Sequence, residues 1–288
     1  MSGAGPDDPP PVPDPTASHD PTAEHDPTAD LGPAPEAVRT ARALTWAAAV
    51  AFCVVALVLF SGAGLPLVDA VLLSLLLAVV PLLAIAQVPL ADGLAIERMS
   101  AYWSSIVTLG VLGAACWFVG SRVGGGAALG LVRLPMANLL GWTVGLTAVG
   151  LAIIVLFHAG ARGVGTRDTE LLVQLLPRTG RERGVFALLS VAAGVGEELA
   201  YRGYVIPVLA PVTGLAGAAV LSTVVFGVVH AYQGVIGIVR TALMGGVLAW
   251  GFLASGSLWP AILAHTLIDL IAGIAIGERL LVRRSDPS

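Results

Sequence analysis

The sequence has no lysine, so all fifteen of its basic residues are arginine. Charge of either sign is scarce: 12% of the 288 residues are ionised, where a soluble domain carries about a quarter. So little charge cannot cover the water-facing surface of a chain this long. With 56% hydrophobic residues and a mean hydropathy of +0.87, a soluble enzyme and a fibrous protein both fit poorly. A nucleic-acid binder fits as poorly, for the same shortage of charge. The two cysteines, Cys53 and Cys116, stand in apolar runs, so neither a disulfide framework nor a CxxC metal site is present. Both are expected to be buried small hydrophobes. No HExxH occurs, which excludes a zincin-type site. The first 43 residues lack an apolar stretch of signal-peptide type, so the first apolar segment is expected to remain as a transmembrane helix.

Long apolar runs are what the chain does have. A spanning helix needs about 20 predominantly apolar residues. Eight segments meet this requirement: 44–64, 67–88, 100–119, 136–157, 185–208, 214–232, 235–254 and 258–277. The expected fold is therefore all-α, a polytopic membrane protein of about eight transmembrane helices with a disordered N-terminal tail. The tail, 1–38, is rich in proline and aspartate and repeats Asp-Pro-Thr-Ala at Asp14, Asp20 and Asp26. It cannot bury enough apolar area to offset chain entropy, and His19 and His25 are read as solvated. Residues 39–184 hold four spans and a polar loop, and 185–280 the last four.

Orientation follows the arginine bias of short loops. With the N-terminus inside, Arg39, Arg42, Arg98, Arg162, Arg167, Arg178, Arg181, Arg183, Arg279, Arg283 and Arg284 lie on the cytoplasmic side. Only Arg122 and Arg133 lie outside. Both termini are expected in the cytoplasm. The lysine-free, alanine- and arginine-rich composition suggests a bacterium of high GC content, hence its inner membrane.

Charge in the bilayer costs about 2.5–3.5 kcal/mol per group on insertion scales. The fifth span nonetheless contains Glu197, Glu198 and Arg202. Glu198 and Arg202 are four apart, share a helical face and can pair, while Glu197 points about 100° away. His230 ends the sixth span, in Phe226-x-x-x-His230. His265 and Asp269 are four apart on the eighth. If these helices cluster, two Glu, two His, one Asp and one Arg share a pocket. Such a set can activate water, ligate a divalent metal or relay protons. No Ser or Cys stands in a nucleophile motif beside them. Ser222 lies eight residues before His230. Activated water is thus better supported than acyl-enzyme chemistry.

The ordered set Glu197-Glu198-x-x-x-Arg202, Phe226-x-x-x-His230 and His265-x-x-x-Asp269 resembles the CPBP family of intramembrane proteases. That family contains CAAX prenyl endopeptidases and bacterial bacteriocin-processing or self-immunity (Abi-type) proteins. The resemblance covers about 185–280. It implies a helical membrane endopeptidase opening toward the cytoplasm, acting on a peptide or membrane-protein substrate and in contact with membrane lipid. Glu197 would act as base on water, assisted by His230; Glu198 and Arg202 would hold the water and orient the site; His265 and Asp269 would stabilise the oxyanion. Asp269 departs from the asparagine that often ends the third motif. The resemblance leaves both a metal-free glutamate mechanism and a metal-dependent one open. A divalent metal such as zinc, if present, would fall to Glu197, His230 and His265.

Two other classes compete. One is a non-catalytic immunity or interaction protein on the same scaffold, which would have no need of the full ionisable set. The other is a proton-coupled transporter, which would carry broken helices in two inverted repeats. One difficulty of height also follows from the spans. Glu197 lies roughly 18 Å below the start of its helix, whereas His230 lies near the cytoplasmic end of its own. A deeper start to the fifth helix, near Leu188, or a stagger or tilt of the helices is required.

Overall fold

The computed structural model describes residues 35–91, 96–163, 170–275 and 277, all within one unit, Pro33–Ser288. The repeats with His19 and His25, and Arg167, Arg279, Arg283 and Arg284, lie outside the described residues.

Helices make up the described chain, with no strand among its residues. They are α1 (Pro35–Leu57), α2 (Leu67–Ser74), α3 (Val80–Ala91), α4 (Arg98–Gly120), α5 (Met136–Gly163), α6 (Glu170–Gln174), α7 (Gly180–Glu197), α8 (Ile206–Val229), α9 (Gly234–Ser255) and α10 (Trp259–Leu270). π-helical turns continue α1, join α2 to α3, join α7 to α8 and continue α10. Six of the resulting rods are long and apolar enough to cross a membrane, and Trp259–Ala275 is a shorter apolar helix. One rod, Gly180–Val229, has 50 residues and combines the fifth and sixth expected spans. It is broken at Gly214, whose φ of 75° and ψ of 160° are not helical. Each of the eight expected segments therefore corresponds to a helical stretch among the described residues. The first starts earlier than its apolar run, at Pro35, because the helix carries Arg39 and Arg42 in its first turns.

The surface is apolar, as a bilayer requires. Trp46, Phe118, Leu156 and Val235 are each at least 66% exposed. The interior holds small residues and a few aromatics, among them Ala70, Ala200, Ala218, Tyr201, Tyr204 and Phe226. Cys116 is buried as expected, but Cys53 is exposed. A lipid-facing position is as apolar as a core position, so the apolar run around Cys53 did not distinguish the two.

Helices α7, α8, α9 and α10 form the inner group. α10 packs on α5, α7 and α9, while α4 covers α7 and α3 lies against α8. The contact of α4 with α7 is a close backbone approach. A Cβ at Gly113 would meet Gly196 Cα at 3.0 Å, and one at Gly196 would meet the Leu109 carbonyl oxygen at 2.5 Å. The carboxylates that follow Gly196 are thus held on a helix whose neighbour leaves it no room to slide.

The start of α7 is equally well fixed. Thr179 caps it by accepting from the Glu182 N–H, and Glu182 accepts in return from the Thr179 N–H, a reciprocal capping box. Glu182 also pairs with Arg98 at 3.7 Å, tying this end to the start of α4. The helix starts at Gly180, not deeper, so a late start does not resolve the difference in height. The sixth segment resolves it instead. From Gly214 to the end of α8 at Val229 only about 15 helical residues remain, or about 22 Å. That is short of the roughly 30 Å of a hydrocarbon core. His230, at the end of this short segment, comes within 4.0 Å of Glu197.

Candidate active site

Between α7 and α8 the chain makes a π-helical turn, Glu198–Val205, all eight residues of which are buried. Such turns are rare and concentrate at functional sites, because i→i+5 bonding costs stability that packing must return. The wide turn brings Glu198 and Arg202 almost over each other. Arg202 Nη1 donates to Glu198 Oε1 at 2.8 Å, and both side chains are fully buried. The guanidinium also lies over the ring of Phe226, 4.1 Å from its centroid, a cation–π contact from α8. A Cβ at Gly245 on α9 would meet Arg202 Nη2 at 2.7 Å. The cation is enclosed by its own turn, by α8 and by α9.

Glu198 Oε1 takes a second bond. His265 Nδ1 on α10 donates to it at 2.8 Å. The opposite nitrogen of the ring, Nε2, stands 3.7 Å from Glu197 Oε2 and 3.7 Å from Asp269 Oδ2. His230 approaches from the other side, with Nε2 4.0 Å from Glu197 Oε2. Its Nδ1 donates to the Phe226 carbonyl oxygen at 2.8 Å. A carbonyl only accepts, so the neutral ring carries its proton on Nδ1 and presents a lone pair at Nε2. Glu197 Oε2 is buried and has no hydrogen-bond partner among the described residues. All six sequence-selected residues are therefore brought to one place. Glu197 does not pair with Arg202, and Glu198 bonds the imidazole of His265.

The spacing bears on what the group can hold. A water that donates to two acceptors through bonds of about 2.8 Å holds them roughly 4–4.5 Å apart. Zinc at about 2.0–2.1 Å from each nitrogen would draw tetrahedral donors to roughly 3.3–3.5 Å. The Glu197–His230 separation of 4.0 Å is the wider of these. Among the described residues no three His, Cys, Asp or Glu side chains are arranged to hold a metal ion. The donor types suit zinc, and His265 Nε2, 3.7 Å from both Glu197 and Asp269, lies between the two spacings.

Residues 181–271 match the model of the type II CAAX prenyl endopeptidase Rce1-like family. The match spans about a third of the chain, which is similar to that family over this segment. All six site residues fall inside it, and the family is one of CAAX-type endopeptidases, here built from membrane-crossing helices. No curated protein and no solved structure matches the chain.

Other residues serve the Rce1-like segment without having been selected from the sequence. Phe226 touches four of its members: the Arg202 cation, the Tyr201 ring at 5.4 Å, the His230 ring at 4.8 Å and the His265 ring at 6.0 Å. Ser222 is not a nucleophile. Its Oγ donates to the Tyr201 carbonyl at 2.6 Å and fastens the π turn to α8. The spacing Ser222, Phe226, His230 puts all three on one face, which is the signal that would have joined them. Beyond His230, Gln233 Oε1 accepts from Arg240 Nη2 and from Thr241 Oγ1, each at 3.0 Å. Arg240 is thereby turned toward the bend between α8 and α9, at the helix end. Two cavities, of about 200 and 340 Å³, are lined by none of the six residues; the first is apolar and the second is bordered by Asp69 and Arg122.

Proposed function

We propose that the Rce1-like segment hydrolyses peptide bonds of a membrane-associated or peptide substrate with a water activated by Glu197. The observation that carries this reading is the unpartnered, buried Glu197 Oε2 facing the Nε2 atoms of His230 and His265 at 4.0 and 3.7 Å. A water between Glu197 and His230 donates one hydrogen to each acceptor and keeps a lone pair for the substrate carbonyl. As its oxygen bonds to the carbonyl carbon, its proton passes to Glu197. A general base of this kind contributes about 10²–10⁴ in rate. His265, held through Nδ1 by Glu198, turns Nε2 toward the same space. In its protonated form it donates from Nε2 to the developing oxyanion, with Asp269 beside it as counter-charge. When the carbon–nitrogen bond breaks, Glu197 returns the proton to the leaving amine. Glu198 and Arg202 orient His265 and do not touch the water. Every step uses side chains alone, and none is routed through a metal.

On the same reading the protein lies in a bacterial inner membrane with both termini in the cytoplasm. Reporter fusions near residue 35, near Gly125 and after Arg284 test this, and an extracytoplasmic signal at either terminus overturns it. The function is tested by comparing membrane and secreted peptides of cells carrying the wild type or Glu197→Ala. Peptides that change only with the wild type are substrates or products. Identical profiles remove the basis for the assignment.

A further inference from the structure

At the other end of the π turn lies a second polar cluster, outside the Rce1-like match on two of its three residues. Asp69, near the start of α2, is only 5% exposed. One of its oxygens accepts from the Tyr204 hydroxyl at 2.8 Å. The other is paired with Arg122, just beyond α4. Tyr204 is fully buried and belongs to the π turn, two residues after Arg202 and six after Glu198. A carboxylate inside an apolar bundle is costly. Satisfying one tyrosine hydroxyl needs no charge, since any carbonyl would do.

We infer that Asp69, oriented by Arg122 and acting through Tyr204, is a positioning residue that holds the π turn in the register that aims Glu198, and with it His265, at the reaction centre. The physical reason is the turn itself. If a π turn relaxes to α-helix, one residue drops out of the register and everything beyond it rotates by about 100° relative to what precedes it. The near end is fixed by Glu198, bonded at once to Arg202 and His265. The middle is fixed by Ser222 at the Tyr201 carbonyl. The far end is fixed by Tyr204 on Asp69. With all three in place the turn cannot relax without breaking a buried bond. Without the last, the cheapest relaxation swings Tyr204 and Arg202 and pulls Glu198 from His265 Nδ1. Through Asp69 and Arg122 the first four helical segments thus contribute to the reaction.

The inference rests on the proposed hydrolytic function for its kinetic consequence but not for its geometry, and two measurements keep the failures apart. The first uses the full chain in lipid vesicles and the best-cleaved member of an internally quenched peptide library. Tyr204→Phe keeps the ring and removes the bond. It should lower kcat by about ten-fold or more, since small displacements of reacting groups are expensive, with KM changed less than about two-fold. Asp69→Ala should do the same. Asp69→Asn, which still offers the hydroxyl an oxygen but loses the Arg122 ion pair that orients it, should lower kcat less than Asp69→Ala does. The second measurement needs no substrate: the ¹⁵N resonance of His265 Nδ1, assigned by its loss in His265→Asn. It should move toward that of a free imidazole in Tyr204→Phe and Asp69→Ala. A melting temperature that falls while kcat and the His265 resonance stay put shows a mere staple and overturns the inference. If the wild type cleaves no peptide, the hydrolytic function fails, and the His265 resonance still decides the positioning claim.

Discussion

Removing Glu198 should unfold this protein more readily than removing any other single site carboxylate. In Glu198→Ala the Arg202 guanidinium, fully buried, loses its ionic partner and keeps only the face of Phe226 at 4.1 Å. His265 Nδ1 loses its acceptor in the same step. Breaking a buried pair by deleting one partner costs about 3–5 kcal/mol. At about 2–4 °C per kcal/mol for a chain of this size, Tm in detergent should fall by roughly 6–20 °C. The physical origin is tested by adding Arg202→Met. This removes the stranded cation, and replacing a buried pair by apolar groups is often neutral. Tm should then recover by half or more. Recovery stays incomplete, because His265 still lacks its acceptor at a cost of about 1–3 kcal/mol. If the two losses simply add, the residues do not act as a pair and the reasoning fails.

Two further outcomes follow from the same geometry. Gly245→Ala should lower both stability and activity, because its Cβ would meet Arg202 Nη2 at 2.7 Å and the Phe226 ring at 2.8 Å. The overpacking cost of about 1–3 kcal/mol exceeds the roughly 1 kcal/mol that alanine returns in a helix. Gly246→Ala, whose Cβ meets only Thr223 at an ordinary 3.5 Å, is the control and should melt at or above the wild-type temperature. Exhaustive dialysis against EDTA should leave peptidase activity intact, as the Glu197–His230 spacing suits water; activity lost to chelation and restored by zinc would contradict this.

The eight segments were legible because the bilayer permits only helices whose backbone bonds are internal, and it demands long apolar runs to carry them. The break near Gly214 was legible from Pro211 and Gly214. That the helix runs through Pro211 and fails only at Gly214 was not, since proline is tolerated where neighbours re-satisfy the freed carbonyl. The intramembrane Glu197, Glu198, Arg202, His265 and Asp269 stood out because each is costly there. The pairing of Glu198 with Arg202 followed from their spacing of four. What could not be read is whatever packing decides. A π turn at Glu198–Val205 has no local sequence signature. The same oxygen of Glu198 receiving His265, 67 residues away, is a tertiary fact. Asp69 did not stand out in the sequence because its partner Tyr204 lies 135 residues on, on another helix, with no periodicity to connect them. Phe226 was quoted only as part of a motif, since an apolar residue on an apolar helix gives no sign that a cation lies on its face.

The most direct measurement is the peptidase rate of purified Glu197→Gln in lipid vesicles, with its Tm recorded on the same preparation. The amide keeps the size of the side chain and removes the base. Loss of the carboxylate also removes a charge that costs energy to hold in the bilayer, so folding should be unchanged or improved. The rate should fall by about 10²–10⁴ with Tm at or above that of the wild type. A Glu197→Gln protein that cleaves at the wild-type rate would show that Glu197 does not activate the water.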